Sequence, residues 1–307
     1  MYQCAPASRA GSTGMAATRA RVNIAEGRTV GPASRVPVAG PRDMRRGSRK
    51  PMHLLLEEAV AAAREAGAAI RGYYNDSYTL KDKGGDNPLT DADLASDRIL
   101  AARLRDTHPE FGWLSEESVD DPVRLGRDYA WIVDPLDGTK EFTLGIPEFV
   151  VSIGLVHRGF PVLGVLYNPV ADEMFAGVVG EGATFNGAPC RVSAHAGLSG
   201  ARVVCSRTEM KKGMFERWTD RLALLPVGSV AYKFGRVAAG QAEATFTPQP
   251  RNEWDICGGV AVVMAAGGRT SNGRGVPYVF NQANPLVDGV CATNGLVHDD
   301  VLGLMRA

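Results

Sequence analysis

The segment Trp131-Ile-Val-Asp134-Pro-Leu-Asp137-Gly-Thr139-Lys140-Glu141-Phe142 places two carboxylates three positions apart beside a glycine. Tyr129 to Val133 reads as a short apolar strand. Pro135 has no backbone N–H and cannot continue a ladder, which predicts the end of that strand at Asp134. In the turn that follows, Gly138 lets backbone N–H groups approach an anion closely. Carboxylates beside free amides suit a hard cation and a phosphate together, because Mg²⁺-like ions are held by one or two carboxylates plus substrate oxygens.

Two plainer readings compete with this one. Asp, Pro and Gly form turns without any function. Aspartyl-phosphate phosphatases carry Asp-x-Asp-Gly-Thr, but the spacing here is Asp-x-x-Asp, which fits that chemistry poorly. Acids elsewhere in the chain shift the balance toward a metal. Asp93 lies in Asn87-Pro-Leu-Thr90-Asp-Ala-Asp93, where Thr90 and Asp93 have capping-box spacing at the start of a helix, so Asp93 is either a cap, a site carboxylate, or both. Glu116 and Glu117 end the segment Phe111 to Ser118, which reads as a buried strand. Neighbours on a strand face opposite ways, so only one of the two shares a site with Asp134 and Asp137. Asp255 heads an apolar helix closed by Gly267-Gly268, with Gly258 and Gly259 permitting close packing; it is either a helix cap or another ligand.

The elements that must carry these acids follow from the pattern of apolar residues. Leu56, Val60, Ala63, Gly67, Ile70 and Tyr74 recur at helical spacing over His53 to Tyr74. A polar break over Asn75 to Asn87 reads as a loop over a site, and a second helix runs to Leu104 with Ala95, Ile99 and Ala102 on one face. Runs at Glu148 to His157, Leu163 to Asn168 and Glu173 to Val179 predict an antiparallel meander, with hairpin turns at Glu181-Gly182 and Asn186-Gly187. From about Asn186 strands and helices alternate: a strand over Ala201 to Ser206, helices over Glu209 to Leu222 and Val230 to Gly240, and a strand over Ala244 to Thr247. The expected division is an N-terminal α+β half over 52–185 and a C-terminal α/β half over 186–307.

Composition narrows the partners. The 307 residues are 45% hydrophobic, and 34 basic side chains balance 34 acidic ones, which gives no argument for nucleic acid or a membrane surface. The five cysteines, at 4, 190, 205, 257 and 291, are scattered with no zinc-type spacing, which favours a reducing cytoplasm and oxygen ligands. Residues 1–51 are rich in Arg, Gly, Ser, Ala and Pro and read as a disordered extension. A transit peptide and a natural start at Met44 or Met52 are both open readings of it.

Taken in order, Asp-Asn-Pro-Leu-Thr-Asp-Ala-Asp93, Leu-Ser-Glu116-Glu117, Asp134-Pro-Leu-Asp137-Gly-Thr139 and Trp254-Asp255 before a helix ending in Gly-Gly resemble the lithium-sensitive, Mg²⁺-dependent phosphatases of the inositol monophosphatase superfamily. The likeness covers residues from about 52 to the C-terminus. Lys140-Glu141-Phe142, Gly228-Ser229-Val-Ala-Tyr-Lys233-Phe234 and Glu253-Trp254-Asp255 resemble its 3′(2′),5′-bisphosphate nucleotidase branch. Thr143-Leu-Gly-Ile-Pro-Glu148 is shorter than that branch's segment, and Thr247-Pro-Gln-Pro-Arg-Asn252 replaces a more familiar loop.

The resemblance implies an α/β (α+β sandwich) fold layered α-β-α-β-α, as in inositol monophosphatases and fructose bisphosphatases, and a cytoplasmic monomer or homodimer acting on a small phosphorylated substrate. It implies that Glu116, Asp134, the carbonyl of Leu136, Asp137 and Asp255 hold two or three Mg²⁺ ions. Glu116 and Thr139, the latter paired with Asp93, would orient and deprotonate the attacking water. The N–H groups of Gly138 and Thr139 would hold phosphate oxygens; Leu136, Asp137 and Asp255 would border the substrate, and Lys233 would meet a second phosphate. Glu117 would support from behind. The implied activity is hydrolysis of 3′-phosphoadenosine 5′-phosphate, with inositol monophosphate or fructose 1,6-bisphosphate as alternatives and lithium inhibition by analogy. A non-catalytic metal-binding regulator is the reading from another class, and the presence of every expected acid weighs against it.

Overall fold

The computed structural model describes residues 50–82 and 88–306. The extension expected over 1–51 lies outside them except for Lys50 and Pro51, and the polar break expected over 75–87 is described only as far as residue 82. Helix α1, Met52–Tyr73, forms where expected, but its buried stripe is Leu55, Ala59, Ala62, Ala63, Ala66, Gly67 and Ile70. Leu56 and Val60 are only half-buried. The small residues let the helix lie close: a Cβ added to Gly67 would sit 2.6 Å from the ring of Tyr167.

Strands β1, Leu80–Asp82, and β2, Pro88–Thr90, pair antiparallel and lead into α2, Asp91–Leu100. Thr90 caps α2 as expected, and Asp93 completes the capping box. The face expected at Ala95, Ile99 and Ala102 is not the buried one. Ala92, Asp93, Ser96 and Leu100 point inward, Ala102 is exposed, and a π-turn, Ala101–Arg105, brings Leu104 into the core. Hydrophobic spacing misassigns this face because two inward residues are polar and bonded. The Ser96 hydroxyl, for example, donates to the Pro135 carbonyl at 2.7 Å.

A seven-stranded sheet follows in sequential order: β3, Gly112–Ser115; β4, Tyr129–Asp137; β5, Val150–His157; β6, Phe160–Asn168; β7, Glu173–Val178; β8, Gly182–Phe185; and β9, Ala188–Cys190. Only β3 and β4 run parallel. The expected strand end at Asp134 is corrected here, since β4 continues through Asp137. Pairing with β5 runs in step from Tyr129 opposite His157 to Asp134 opposite Ser152, then resumes at Asp137 opposite Val150. The irregularity absorbs Pro135, whose missing N–H cannot enter the ladder. The expected meander and its hairpins form; Asn186 and Gly187 both adopt positive φ, 49° and 80°, as a two-residue type I′ turn requires. Asn186 therefore lies inside this sheet, and the chain passes to the next one between Cys190 and Ala201.

Short helix α3, Thr139–Thr143, follows β4 directly, and the second half adds α4, Arg207–Lys211, α5, Val230–Ala238, α6, Glu253–Ala265, and α7, His298–Arg306. Its strands are β10, Ala201–Cys205; β11, Leu222–Pro226; β12, Ala244–Thr247; β13, Arg251–Asn252; β14, Arg269–Ser271; β15, Leu286–Val287; and β16, Val290–Thr293. Five of them form a sheet ordered β11-β10-β12-β16-β14. The single helix expected over Glu209 to Leu222 is not formed. α4 stops before Gly213, which turns with φ 75°, and Leu222 opens β11 parallel to β10.

The layers run α1 and α2, seven-stranded sheet, α5 and α6, five-stranded sheet, α7, so the layered α/β architecture is as expected. Three apolar clusters fill the gaps, one beneath α1 and α2, one on both sides of α5 and α6, and one beneath α7. Trp131 and Val133 of β4 belong to the α1/α2 side, while Ala130 and Ile132 belong to the α5/α6 side. That alternation decides where the acids point.

Candidate active site

Strand parity carries Asp134 to the same side as Ala130 and Ile132, toward α6. Leu114 of β3 faces that side too, so two residues on, Glu116 shares it and Glu117 does not. The opposite side of β3 is marked by Ser115, whose hydroxyl donates to Asp97 of α2 at 2.6 Å. Asp255 is brought to the same place by α6, which presses on the sheet through glycines. A Cβ on Gly164 would lie 2.2 Å from the Gly258 carbonyl oxygen, and one on Gly154 would lie 2.4 Å from the Cys257 sulfur. Only that close approach seats the first turn of α6 at the end of β4.

The outcome is a carboxylate triad. Ligand oxygens of Glu116, Asp134 and Asp255 lie within 4.8 Å of one another. They line a cleft of about 390 Å³ with Leu136, Asp137, Gly138, Thr139, Lys140, Pro88, Val230, Arg251 and Asn252. Each aspartate is aimed by bonds to one oxygen. Asp134 Oδ1 accepts the Leu136 N–H at 2.9 Å. Asp255 Oδ2 accepts the Asn252 N–H at 2.9 Å, so the helix-cap reading of Asp255 holds alongside its place in the cleft. Asp137 Oδ2 accepts both the Ser229 hydroxyl and the Ala231 N–H at the start of α5. The other oxygen of Asp137 has no protein partner among the described residues.

Asp93 stands behind the cleft rather than in its lining. Its Oδ2 accepts the N–H of Thr90 at 2.8 Å and the Thr90 hydroxyl at 2.5 Å. Its Oδ1 faces the Thr139 hydroxyl at 3.0 Å, so the pairing of Thr139 with Asp93 expected from sequence is present. The cap reading of Asp93 is realised, while its carboxylate meets Thr90 and Thr139 rather than the cluster of Glu116, Asp134 and Asp255. Gly138, at φ 105°, makes the turn into α3, and a Cβ there would meet Phe149 and the Glu148 carbonyl at 3.0 and 3.1 Å. Lys233 is placed differently from its expected role. It is buried, does not line the cleft, and its ammonium donates to the carbonyl of Ser229.

Burial and mutual repulsion dominate the electrostatics. Burial, then the charges of Glu116, Asp137 and Asp255, raise the Asp134 carboxyl well above the usual carboxylate range. Burial, then Asp137 and Glu116, push Asp255 up to about 8. Burial raises Asp137 as well, against the hydrogen bonds of Ser229 and Ala231 and the charges of Lys233 and Arg251. A divalent ion would relieve the repulsion among acids that converge this closely, so the cluster is consistent with a cation site. The donors are oxygens only, which fits Mg²⁺ better than softer metals.

Three contributors had no assigned role in the sequence. Ser229 holds Asp137 from across the cleft with φ 56° and ψ 139°, a backbone region costly for a side-chain-bearing residue. Its signals were a serine at a helix start and membership of the Gly228 to Phe234 segment that resembles the nucleotidase branch. Arg251 enters the cleft from the Pro-rich segment that departs from the nucleotidase pattern, and Lys140 lines it from α3. Nothing in the local spacing marks either as a cleft residue.

Known proteins bear on this arrangement. Residues 52–303 match the model of the inositol monophosphatase family. Inositol monophosphatase 3 of Solanum lycopersicum is 34% identical over 260 residues, covering 80% of this chain and 93% of that protein. The 3′(2′),5′-bisphosphate nucleotidase CysQ of Escherichia coli O6:H1 is 35% identical over 236 residues, covering 74% and 94%. The crystal structure of the extragenic suppressor protein SuhB from Bartonella henselae superposes with a TM-score of 0.74 at 29% identity, covering 82% of this chain and 98% of that one. The chain belongs to the inositol monophosphatase family and is a phosphatase of phosphate monoesters. Dependence on Mg²⁺ is general in that family, and the acidic cluster is consistent with it.

Proposed function

We propose that this inositol monophosphatase family member is a 3′(2′),5′-bisphosphate nucleotidase that hydrolyses the 3′-phosphate of 3′-phosphoadenosine 5′-phosphate. The observation that carries the substrate reading is that two basic side chains, Lys140 and Arg251, line the same cleft as the acids. A polyol monophosphate presents a single anionic group, whereas a nucleoside bisphosphate presents two. Two of the three segments that resemble the nucleotidase branch also meet in space, since a Cβ on Gly228 would lie 2.3 Å from Cγ of Glu141.

Glu116, Asp134, Asp255, the Leu136 carbonyl and the second oxygen of Asp137 would hold two or three Mg²⁺ ions. Bound there, the ions supply Lewis-acid polarisation of the ester and a lowered pKa for the attacking water. The Thr139 hydroxyl orients that water and passes a proton toward Asp93 Oδ1, while Thr90 fixes Asp93 in place through Oδ2. Glu116 is the second base. The N–H groups at the start of α3 receive phosphate oxygens. A cytoplasmic setting accords with free thiols at Cys190, Cys205, Cys257 and Cys291. Lithium inhibition is expected by analogy with the family. No helix among the described residues is long and apolar enough to cross a membrane.

The test is phosphate release from 3′-phosphoadenosine 5′-phosphate, inositol 1-phosphate and fructose 1,6-bisphosphate, each with Mg²⁺ and with chelator. The expected result is Mg²⁺-dependent turnover with kcat/KM at least about tenfold higher for the nucleotide. Preference for either sugar-type phosphate refutes the substrate reading. Inositol monophosphate is the second reading, favoured by the identity to the tomato inositol monophosphatase.

A further inference from the structure

We infer that Arg251 is the residue that receives the second phosphate of the substrate, so that the cleft selects phosphomonoesters bearing a second anionic group. The inference rests on the nucleotidase reading and assigns its selectivity to one side chain. The sequence offered Lys233 for this contact, but that side chain is buried, donates to the Ser229 carbonyl and does not line the cleft. Arg251 stands on β13, four residues before Asp255, with part of its side chain exposed and lining the same cleft as the acids.

Its guanidinium is held from behind. Nη2 donates to Glu209 Oε1 at 2.7 Å, and Nη1 donates to the carbonyl of Pro250 at 2.8 Å. Glu209 is itself nearly inaccessible, with a side chain 7% exposed, and accepts the Thr247 hydroxyl at 2.9 Å on the same oxygen. A guanidinium has five N–H donors. Two are used in these bonds, and the remaining three have no acceptor among the described residues. A planar fork fixed by one buried carboxylate, with donors left over and opening on a cleft, is preorganised for the paired oxygens of a phosphate. The cleft, at about 390 Å³, is in the range of about 300–1,000 Å³ typical of small-molecule sites.

The test compares 3′-phosphoadenosine 5′-phosphate with 3′-AMP, which has the same scissile ester and lacks the 5′-phosphate. Wild type, Arg251→Lys, Arg251→Gln and the double variant Arg251→Gln/Glu209→Gln are assayed with saturating Mg²⁺, with inositol 1-phosphate as a third substrate. The double variant avoids leaving Glu209 buried and unpaired, so a folding defect in the single variant does not decide the outcome. The ratio of kcat/KM for the bisphosphate over 3′-AMP should fall about 10- to 100-fold in both Gln variants, the range of a charged hydrogen bond, and less in Arg251→Lys. An unchanged ratio with wild type still preferring the bisphosphate overturns the Arg251 assignment alone. A wild-type enzyme that prefers inositol 1-phosphate overturns the nucleotidase reading beneath it.

Discussion

The two walls of the cleft are built on different plans. On one, Asp134 and Asp137 stand on β4, a strand buried along its whole length in the largest sheet, and each is aimed by backbone or hydroxyl donors. On the other, Arg251 stands on a two-residue strand, half-buried, tied down chiefly by Glu209. The first wall cannot change without disturbing the core; the second changes by substituting a side chain or a loop. Chemistry is thus fixed in the packed interior, and selectivity is set where the fold tolerates variation.

The sharpest way to break this comparison is at the first wall. Asp137→Asn should keep the fold and lower kcat on the order of 10³-fold, comparable with loss of a dedicated charge stabiliser. Circular dichroism and steady-state phosphate release check both halves of that statement. Ser229→Ala should weaken Mg²⁺ binding about 10- to 100-fold by freeing Asp137, as loss of a group that aims a ligand does. Calorimetric Mg²⁺ titration reads the effect. If Ser229→Ala binds Mg²⁺ as wild type does, the positioning argument is wrong.

The seating of α6 gives a smaller effect. A Cβ on Gly258 would lie 2.8 Å from the Ile153 carbonyl oxygen. Gly258→Ala should therefore cost about 1–3 kcal/mol of stability, the range of an overpacked core, and shift Asp255 enough to raise the Mg²⁺ requirement. Urea denaturation measures the first quantity. An unchanged midpoint would show that the helix relaxes freely.

A pH dependence of the metal-free protein is also expected. Asp255 is raised from 3.8 to about 8 in the folded state. Between those values the folded chain holds a proton that the unfolded chain releases, so stability present at low pH falls as pH rises from about 4 to about 8. Asp255 is partly open to the cleft, and screening reduces its share. Melting temperature with chelator should decline over that window, and Mg²⁺ should flatten the decline. A metal-free protein that grows more stable toward pH 8 contradicts the electrostatic account.

The acids were legible because each stands near one end of an element, and apolar elements announce themselves by period. Parity along β3 and β4 then explains why Glu116, and not Glu117, meets Asp134. The layered architecture came from the resemblance, not from periodicity. The face of α2 was misread because Asp93 and Ser96 are buried by hydrogen bonds that hydrophobicity does not register. The break near Gly213 was hidden in a helical composition, and strands β14 to β16, two to four residues each, are too short for any period to show. The Glu209–Arg251 pair joins residues 42 apart. It exists only after β10 and β12 are paired and carry their flanking segments together, and no local pattern reports it.

Mg²⁺ titrated into chelator-stripped protein, with heat of binding and phosphate release from 3′-phosphoadenosine 5′-phosphate followed on the same samples, tests the central claim most directly. Binding and turnover should rise together, and both should be lost in Asp134→Asn. Turnover that persists in chelator, or cation binding that brings no turnover on any phosphomonoester, would contradict a phosphatase built on the Glu116, Asp134 and Asp255 cluster.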